Sequence, residues 1–241
     1  MLVPTASGVL DNRMPAFASD FDQAALLEKA AALCPDDTFL NLLPLLQEHK
    51  KEPIYYRTDH HWTTLGAFYG YTAWAESIGL TPYGREDFSE ETVADDFYGT
   101  THSKINLPVY PDSIIRYTPR FPAAYHLIFN LGEKESDSLY DESKLEGKDK
   151  YSYFLGGNNP IVTITSSTGE KGRRLLIIKD SYSHCFAPFA VNHFEETTLI
   201  DLRYFNLGVQ TFLEQEDFTD VLVLYSTANF ADDRNLNTLV K

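Results

Sequence analysis

Hydrophobic residues in the last third of the chain fall into short unbroken runs with polar ends. Residues 173–179 contain the strongest run, and 196–201 and 220–225 resemble it. Such runs are typical of parallel strands that are buried on both faces. The segments between them, 184–192 and 207–215, have patterns compatible with helices. This alternation predicts a parallel α/β sheet with right-handed crossover connections.

Two longer helices are predicted in the first third of the chain. Residues 20–34 are rich in Ala and Leu after an acidic start, which indicates a helix capped by Asp20 or Asp22. Residues 63–79 carry apolar side chains at helical spacing, and Gly79 favours termination there. The shorter elements predicted in this part are a strand at 1–5, a strand at 39–43 and a helical turn at 45–50.

The middle of the chain differs in pattern from both flanks. Residues 85–160 contain short polar–apolar alternations and scattered prolines, and the part at 133–150 is charged with few apolar side chains. We therefore expect a single domain over 1–241 in which 85–160 is an irregular β-containing insertion. Within it, 133–150 is expected to be a mobile surface excursion.

Composition restricts the class of partner. The formal net charge is -15, whereas binding to nucleic acid or to an anionic membrane surface needs clustered Lys and Arg, so neither partner is expected. The aromatic content of 14% fits a core rich in Tyr and Phe, or alternatively a groove in which aromatic faces stack on sugar rings. Cys34 and Cys185 have no metal-ligand spacing and are expected to be free thiols.

Polar residues follow each of the three predicted C-terminal strands. They are Asp180 with Ser181, Asp201 with Arg203, and the segment 226–229. Because ligands bind at the carboxyl ends of parallel strands, these residues are expected to converge on one edge of the sheet. A serine hydroxyl at such a position is a nucleophile only if a base lies within hydrogen-bond reach and a carboxylate orients that base.

The segment Asp-His-His-Trp at 59–62 offers such a base and such a carboxylate. In an extended loop Asp59 and His61 can point the same way, so that Asp59 accepts from Nδ1–H and Nε2 faces Ser181. A strand-to-helix turn also directs backbone N–H groups towards an oxyanion. The residues therefore predict a Ser181–His61–Asp59 catalytic triad.

Other roles for these residues remain open. Ser181 could simply be a helix N-cap, with Asp180 sharing that role. A zinc site made by Asp59 and the two histidines is disfavoured because adjacent histidines rarely converge on one metal, so no metal or other cofactor is expected. Trp62 is expected in the core or as a wall of the pocket. Arg203 either binds a substrate carboxylate or pairs with a nearby aspartate.

Several motifs resemble a known family. The segment Arg-Thr-Asp-His-His-Trp-Thr at 57–63 resembles the signature of the DHHW proteins, which are similar to the SGNH-like polysaccharide O-acetyltransferases of the alginate acetylation machinery. Ile-Lys-Asp-Ser-Tyr-Ser at 178–183 looks like their Gly-Asp-Ser nucleophile block, and Phe-Leu-Gly-Gly-Asn-Asn-Pro at 154–160 looks like a recurring element. The resemblance implies a three-layer α/β/α, SGNH-hydrolase-like (flavodoxin-like) parallel sheet.

The resemblance also assigns roles by position. Ser181 would be the nucleophile, His61 the general base and Asp59 its orienting carboxylate. The family's oxyanion hole adds a Gly and an Asn, for which Gly99 and Asn229 are the candidates here. At Lys179 this sequence departs from a position that is often Gly in the family. The lysine is expected either to narrow the approach to the nucleophile or to point to solvent.

The implied function is acyl-ester chemistry on an extracellular carbohydrate, as an O-acetyltransferase or an O-acetylesterase. Its expected partners are a carbohydrate polymer, an acetyl donor and a membrane-bound acyltransferase. The expected location is the outer face of the membrane or the cell envelope, with an N-terminal anchor preceding this chain. The alternative is a non-catalytic carbohydrate-binding or assembly subunit of a polysaccharide-modification system, and metal-dependent hydrolysis is a weaker third hypothesis.

Overall fold

The computed structural model describes residues 1–18, 21–35 and 38–240. The strands in these ranges are β1 (Leu2–Val3), β2 (Phe88–Phe97), β3 (Asp112–Pro119), β4 (Tyr125–Phe129), β5 (Lys134–Ser136), β6 (Ile161–Ser166), β7 (Glu170–Lys179), β8 (Phe194–Ile200) and β9 (Asp220–Ser226). The α-helices are α1 (Ala6–Val9), α2 (Gln23–Leu33), α3 (Leu43–Glu48), α4 (Thr64–Ser77), α5 (Thr100–Ile105), α6 (Ala187–Ala190), α7 (Val209–Glu214) and α8 (Thr227–Asp232).

The central sheet has seven strands in the order β1-β9-β7-β8-β6-β4-β5. β1, β9, β7 and β8 are parallel, whereas β6, β4 and β5 pair antiparallel. The predicted parallel strands are thus confirmed, but the sheet as a whole is mixed. The chain goes from β7 to β8 on one side and then crosses to β9 on the other. Such a reversal of strand order opens a crevice at the carboxyl end of β7.

The predicted insertion at 85–160 is divided between two sheets. β2 and β3 form a separate antiparallel pair, whereas β4 and β5 extend the central sheet. The region contains β-strands, as expected for a β-containing insertion, and its part at 125–136 belongs to the central sheet. The alternations in it are too short to show which sheet a strand joins, because that depends on pairing with distant strands.

Apolar side chains cover both faces of β7. Leu175 and Ile177 belong to a core cluster that also contains the buried face of α4, whereas Leu176 and Ile178 pack with residues of α2 and α7. Successive side chains of a strand point to opposite faces, so a run without polar interruptions requires a cover on each side. This burial confirms that the apolar run at 173–179 is a strand covered on both faces, and the packing holds the end of β7 in place.

Helix caps follow the predicted chemistry. The Asp22 side chain accepts a hydrogen bond from the Ala25 N–H at 2.9 Å and caps α2, whereas Asp20 lies outside the described residues. Thr63 caps α4, and Gly79 follows that helix with a φ of 76°. That left-handed value favours glycine because the residue has no Cβ.

The strand predicted at 39–43 was wrong. Only Asn41 forms an isolated bridge, with Leu2, and α3 begins at Leu43. The Asn41 side chain accepts from the Leu43 N–H at 3.0 Å, and this local bond turns the chain into the helix. Because β1 has only two residues, the segment at 39–43 cannot pair with it over a longer stretch.

The two cysteines are free thiols, as expected, with Cys34 exposed and Cys185 buried. Cys185 follows the turn at the end of β7 and belongs to the core cluster on one face of the sheet. Burial raises the pKa of its thiol to about 12, so the sulfur stays protonated at neutral pH.

Candidate active site

Asp180 organises the turn that follows β7. Its Oδ1 accepts from the Tyr182 N–H at 2.9 Å, and its Oδ2 accepts from the Ser226 N–H, the Ser226 hydroxyl and the Asn229 amide, each at 2.8 Å. These bonds join the carboxyl ends of β7 and β9 and cap the short 3₁₀ turn Ser181–Ser183. Asp180 is the N-cap, so the hydroxyl of Ser181 remains available for other contacts.

His61 and Asp59 reach this turn from a loop closed by an isolated bridge between Tyr55 and Trp62. The Oγ of Ser181 lies 2.7 Å from Nε2 of His61, although the two residues are 120 positions apart. On the other side of the ring, Nδ1 of His61 lies 2.5 Å from Oδ1 of Asp59. The three residues predicted as a triad are thus in one hydrogen-bonded line, and all three are buried.

Asp59 is held on both carboxylate oxygens. Its Oδ1 also accepts from the His61 N–H at 3.1 Å, and its Oδ2 accepts from the N–H and hydroxyl of Thr100 at 2.8 and 2.9 Å. Burial alone would raise the pKa of this carboxyl, but the bond and charge of His61, the charge of His60 and the Thr100 N–H hold the pKa well below its usual range. Asp59 is therefore ionised at neutral pH.

His60 lies on the solvent side of His61. Its Nδ1 is 2.7 Å from the Thr100 hydroxyl, and its ring centroid is 3.8 Å from that of His61. Partial burial, together with the charge of His61, lowers the pKa of His60 to about 4. His60 is therefore neutral near pH 7 and has no direct contact with Ser181 through a hydrogen bond.

The ligand atoms of Asp59, His60 and His61 lie within 4.8 Å of one another, a spacing that a metal could use. Both ring nitrogens of His61 already have protein partners, however, in Asp59 and Ser181. A metal at this position would have to displace one of those bonds, because each nitrogen has one lone pair or one proton to offer. The geometry therefore favours the hydrogen-bonded triad.

The prediction of Gly99 as an oxyanion donor is wrong because its one N–H is already occupied, whereas the bond of Asn229 to Asp180 uses one of the two N–H groups of its amide. The N–H of Gly99 donates to the Thr58 hydroxyl at 3.2 Å, and the amide of Asn229 donates to Asp180. Gly99 instead allows a close approach, since a Cβ there would lie 2.3 Å from the Asp59 side chain. For the N–H of Ser181, no acceptor is found within residues 1–18, 21–35 and 38–240.

Trp62 and Arg203 have structural contacts. Trp62 is fully buried, and its indole N–H donates to the carbonyl of Tyr182 at 2.8 Å, so it belongs to the core and does not line a pocket. Arg203 pairs with Asp201 through two bonds of 2.8 and 2.7 Å, and the ion-pair alternative therefore describes it. These two bonds use the Nε–Nη2 edge of the guanidinium in the fork geometry that suits a carboxylate.

Neither expectation for Lys179 was right. Its side chain is buried, and Nζ lies 3.3 Å from Oδ2 of Asp201 and 2.9 Å from Nε2 of His184. Burial lowers the pKa of Lys179, although the charge of Asp201 opposes the change. The last residue of β7 points to the covered face of the sheet, so the lysine neither meets solvent nor narrows the approach to Ser181.

Sequence reasoning missed Thr100, Tyr151 and Tyr182. Thr100 binds Asp59 at the start of α5, and the Tyr182 hydroxyl donates to the His60 carbonyl. The ring of Tyr151 stacks on His61 at 3.7 Å between centroids, with an interplanar angle of 9°. Tyr182 lies within the nucleophile block at 178–183, whereas no local motif marks Thr100 or Tyr151, because each of these reaches the site only through tertiary packing.

Fold and site together define an α/β protein with a buried Ser–His–Asp set at the carboxyl end of its central parallel strand. The chain belongs to the DHHW family: the family's sequence profile, described as "DHHW protein", matches residues 1–200. The membership predicted from the motifs is thus confirmed. No curated protein matches the sequence.

Solved structures extend the comparison. A DHHW family protein from Eubacterium siraeum DSM 15702 superposes with a TM-score of 0.83 at 27% identity, covering 100% of this chain and 81% of that chain. Bacillus cereus PatB1 has a TM-score of 0.77 at 20% identity, covering 95% and 81%. The O-acetyltransferase domain of Pseudomonas putida AlgJ has a TM-score of 0.52 at 14% identity, covering 98% and 77%. The last two show likeness of fold.

Proposed function

We propose that this chain is a serine-dependent O-acyltransferase of SGNH type that moves an acetyl group between oxygen atoms. One observation carries the proposal: His61 bridges the Ser181 hydroxyl at 2.7 Å and the Asp59 carboxylate at 2.5 Å. A nucleophile, a base and an orienting carboxylate in hydrogen-bond contact are what covalent acyl transfer needs. We also propose that the two covered faces of the sheet form the three-layer arrangement of that class.

The first half of the reaction loads the serine. Oγ of Ser181 attacks the acetyl carbonyl carbon while Nε2 of His61 takes the hydroxyl proton. The ionised Asp59 stabilises the resulting imidazolium without taking its proton. The oxyanion would accept from the N–H of Ser181, for which no acceptor is found in the described part of the chain. Collapse breaks the bond to the leaving oxygen, which receives the proton from His61.

The second half unloads the serine. A hydroxyl of the acceptor gives its proton to Nε2 of His61 as its oxygen attacks the acetyl carbon. When the tetrahedral species collapses, Oγ of Ser181 leaves and recovers the proton. A sugar hydroxyl as acceptor makes the reaction a transfer, whereas water makes it an O-acetylesterase reaction. The same three side chains serve both outcomes.

The substrate class is proposed from the structural neighbour that is described as an O-acetyltransferase domain, AlgJ. We propose a carbohydrate polymer as acceptor, with a membrane-bound acyltransferase as the source of acetyl groups. The proposed location is the outer face of the membrane or the cell envelope. Within the described ranges no helix has the length and apolarity needed to cross a bilayer.

The direct test is to compare Ser181→Ala with the wild type in turnover of a small chromogenic acetyl ester and in covalent labelling by a sulfonyl fluoride. PatB1 has been solved with a sulfonyl adduct, so such reagents suit this fold. Loss of the nucleophile should lower kcat by at least about 10³-fold and abolish labelling. The matched control is Ser183→Ala, two residues away, whose hydroxyl donates to the Asp180 carbonyl at 2.9 Å. Equal turnover by the wild type and Ser181→Ala would sink the proposal.

The second candidate is a non-catalytic carbohydrate-binding or assembly subunit. Two observations favour it: Ser181 is only 8% exposed, and the N–H of Gly99, a predicted oxyanion donor, is occupied. Under this alternative, the polymer would bind equally well to the wild type and to Ser181→Ala, and neither protein would turn over an acetyl ester or react with the sulfonyl fluoride. Turnover that depends on Ser181 decides against it.

A further inference from the structure

Tyr151 contacts both the base and the nucleophile of the proposed triad. Its ring lies parallel to the His61 ring, with 3.7 Å between centroids and 9° between planes. Its hydroxyl donates to the backbone carbonyl of Ser181 at 3.0 Å. Tyr151 lies in the 3₁₀ turn Lys150–Tyr153, a segment separate from the loop that carries His61 and from the turn that carries Ser181.

The His61 ring is enclosed on both faces. Tyr151 lies flat against one face, and His60 lies at 3.8 Å between centroids with a tilt of 38° against the other. An imidazole can rotate about its Cβ–Cγ bond unless its faces are blocked, because that torsion is broad. The slot between the Tyr151 and His60 rings therefore keeps Nδ1 of His61 directed at Asp59 and Nε2 directed at Ser181.

The hydroxyl of Tyr151 is equally constrained. Tyr151 is 3% exposed, and Sγ of Cys185 lies 3.3 Å from its oxygen. Burial keeps the pKa of this phenol well above its usual range, so the hydroxyl remains a donor. The Ser181 carbonyl accepts from it and from the His184 N–H at 3.2 Å. The backbone of the nucleophile is thereby held against the same ring that orients the base.

We propose that Tyr151 is a positioning residue for acyl transfer, which fixes the Ser181–His61 distance by stacking on the base and holding the carbonyl of the nucleophile. The proposal rests on the function proposed above. Both contacts are present before substrate binds, so they act on the geometry of the reacting groups. The expected effect is on kcat, with little effect on KM.

Two variants separate the two contacts. Tyr151→Phe keeps the ring and removes the hydroxyl, which should lower kcat by about fivefold, the value of one net hydrogen bond. Tyr151→Leu removes the stack as well and should lower kcat by roughly 30-fold. In both variants KM should stay within about twofold of the wild type, since no substrate contact is removed.

The matched control is Tyr153→Phe, in the same 3₁₀ turn. Its ring stacks on Tyr140, and its hydroxyl contacts Arg116 and Glu142, not the triad. It should keep the wild-type kcat even where its melting temperature falls. The positioning role is refuted if both Tyr151 variants retain wild-type kcat, or if kcat in all three variants falls only in proportion to melting temperature.

An NMR measurement, which does not depend on turnover, tests the positioning role of Tyr151 separately from the proposed function. The stacked Tyr151 ring should shift the His61 carbon-bound protons upfield in the NMR spectrum of the wild type and of Tyr151→Phe, and the shift should be clearly smaller in Tyr151→Leu, where only the His60 ring remains against His61. An inactive wild type with this pattern would refute the proposed function and leave the positioning geometry supported. Absence of the upfield shift in the wild type would overturn the positioning proposal itself.

Discussion

At the residue scale, the two adjacent histidines have different environments. His61 is buried between Tyr151 and His60, and both of its nitrogens are bonded within the triad. The ring of His60 is half-exposed, and its Nδ1 lies 2.7 Å from the Thr100 hydroxyl and 3.7 Å from Oδ1 of Asp59. The two rings pack against each other with 3.8 Å between centroids, but it is Nε2 of His61 that lies within hydrogen-bond distance of Ser181.

We therefore expect His61→Ala and His60→Ala to differ sharply. His61→Ala removes the proton acceptor and should lower kcat by about 10³-fold or more. His60→Ala removes only one face of the slot around the base and should cost less than about tenfold, by analogy with a single stacking contact. The measurement is kcat for a small acetyl ester with purified proteins of matched melting temperature. Equal losses in the two variants would contradict this assignment.

At the element scale, short helices and turns place the reacting groups. The start of α5 supplies Thr100 to Asp59, whereas the end of β9 supplies Ser226 and the following helix α8 supplies Asn229 to Asp180. Each carboxylate is thus anchored by an element that is distant in sequence. Gly99, immediately before α5, permits the approach of that helix to Asp59, because any Cβ would overlap the carboxylate.

Gly99→Ala should consequently disturb the site by sterics alone, because the φ of -82° at Gly99 suits any residue. The added methyl would displace Asp59 or α5, and a misplacement of about 1 Å can lower kcat on the order of 10²-fold. Gly147→Ala is the matched control, since its Cβ would meet only the Lys144 carbonyl at 3.6 Å. Turnover and circular dichroism of both variants are compared. Wild-type kcat in Gly99→Ala would show that the contact does not matter.

At the scale of the whole molecule, the buried His184 and the partly buried His193 are held in the neutral form. Burial, and then the charge of Arg173, lower the pKa of His193 to about 4, and burial followed by the Lys179 charge lowers the pKa of His184 well below its usual range. Nε2 of His193 lies 2.7 Å from the Tyr71 hydroxyl, which suits a neutral acceptor. The unfolded chain binds protons at these sites more tightly than the folded protein does.

The sign of the pH effect follows from this difference. A histidine with a depressed pKa in the folded state contributes full stability above its unfolded pKa of about 6.5, and the contribution is lost as pH falls towards about 4. The free energy of unfolding should therefore decline between these values. His193→Gln, which can still accept from Tyr71, should reduce the loss at pH 5 by about 1 kcal/mol after allowance for partial exposure.

Urea denaturation at pH 7 and pH 5 measures this linkage in the wild type and in His193→Gln. The variant should lose less stability than the wild type on acidification. The same slope in both proteins would mean that His193 is protonated equally in the folded and unfolded states.

The sequence by itself predicted the parallel strands, the principal helices and a Ser181–His61–Asp59 grouping. Unbroken apolar runs can only be buried on two faces, whereas for the three polar residues the sequence also left a helix cap and a metal site open. Tertiary structure alone decided the rest. Whether Gly99 and Asn229 have free donors, whether Lys179 meets solvent, and which sheet takes β4 and β5 all depend on partners far away in the chain. Local pattern carries no information on such pairings, because each hydrogen bond or ion pair is decided by whichever group packing brings within reach.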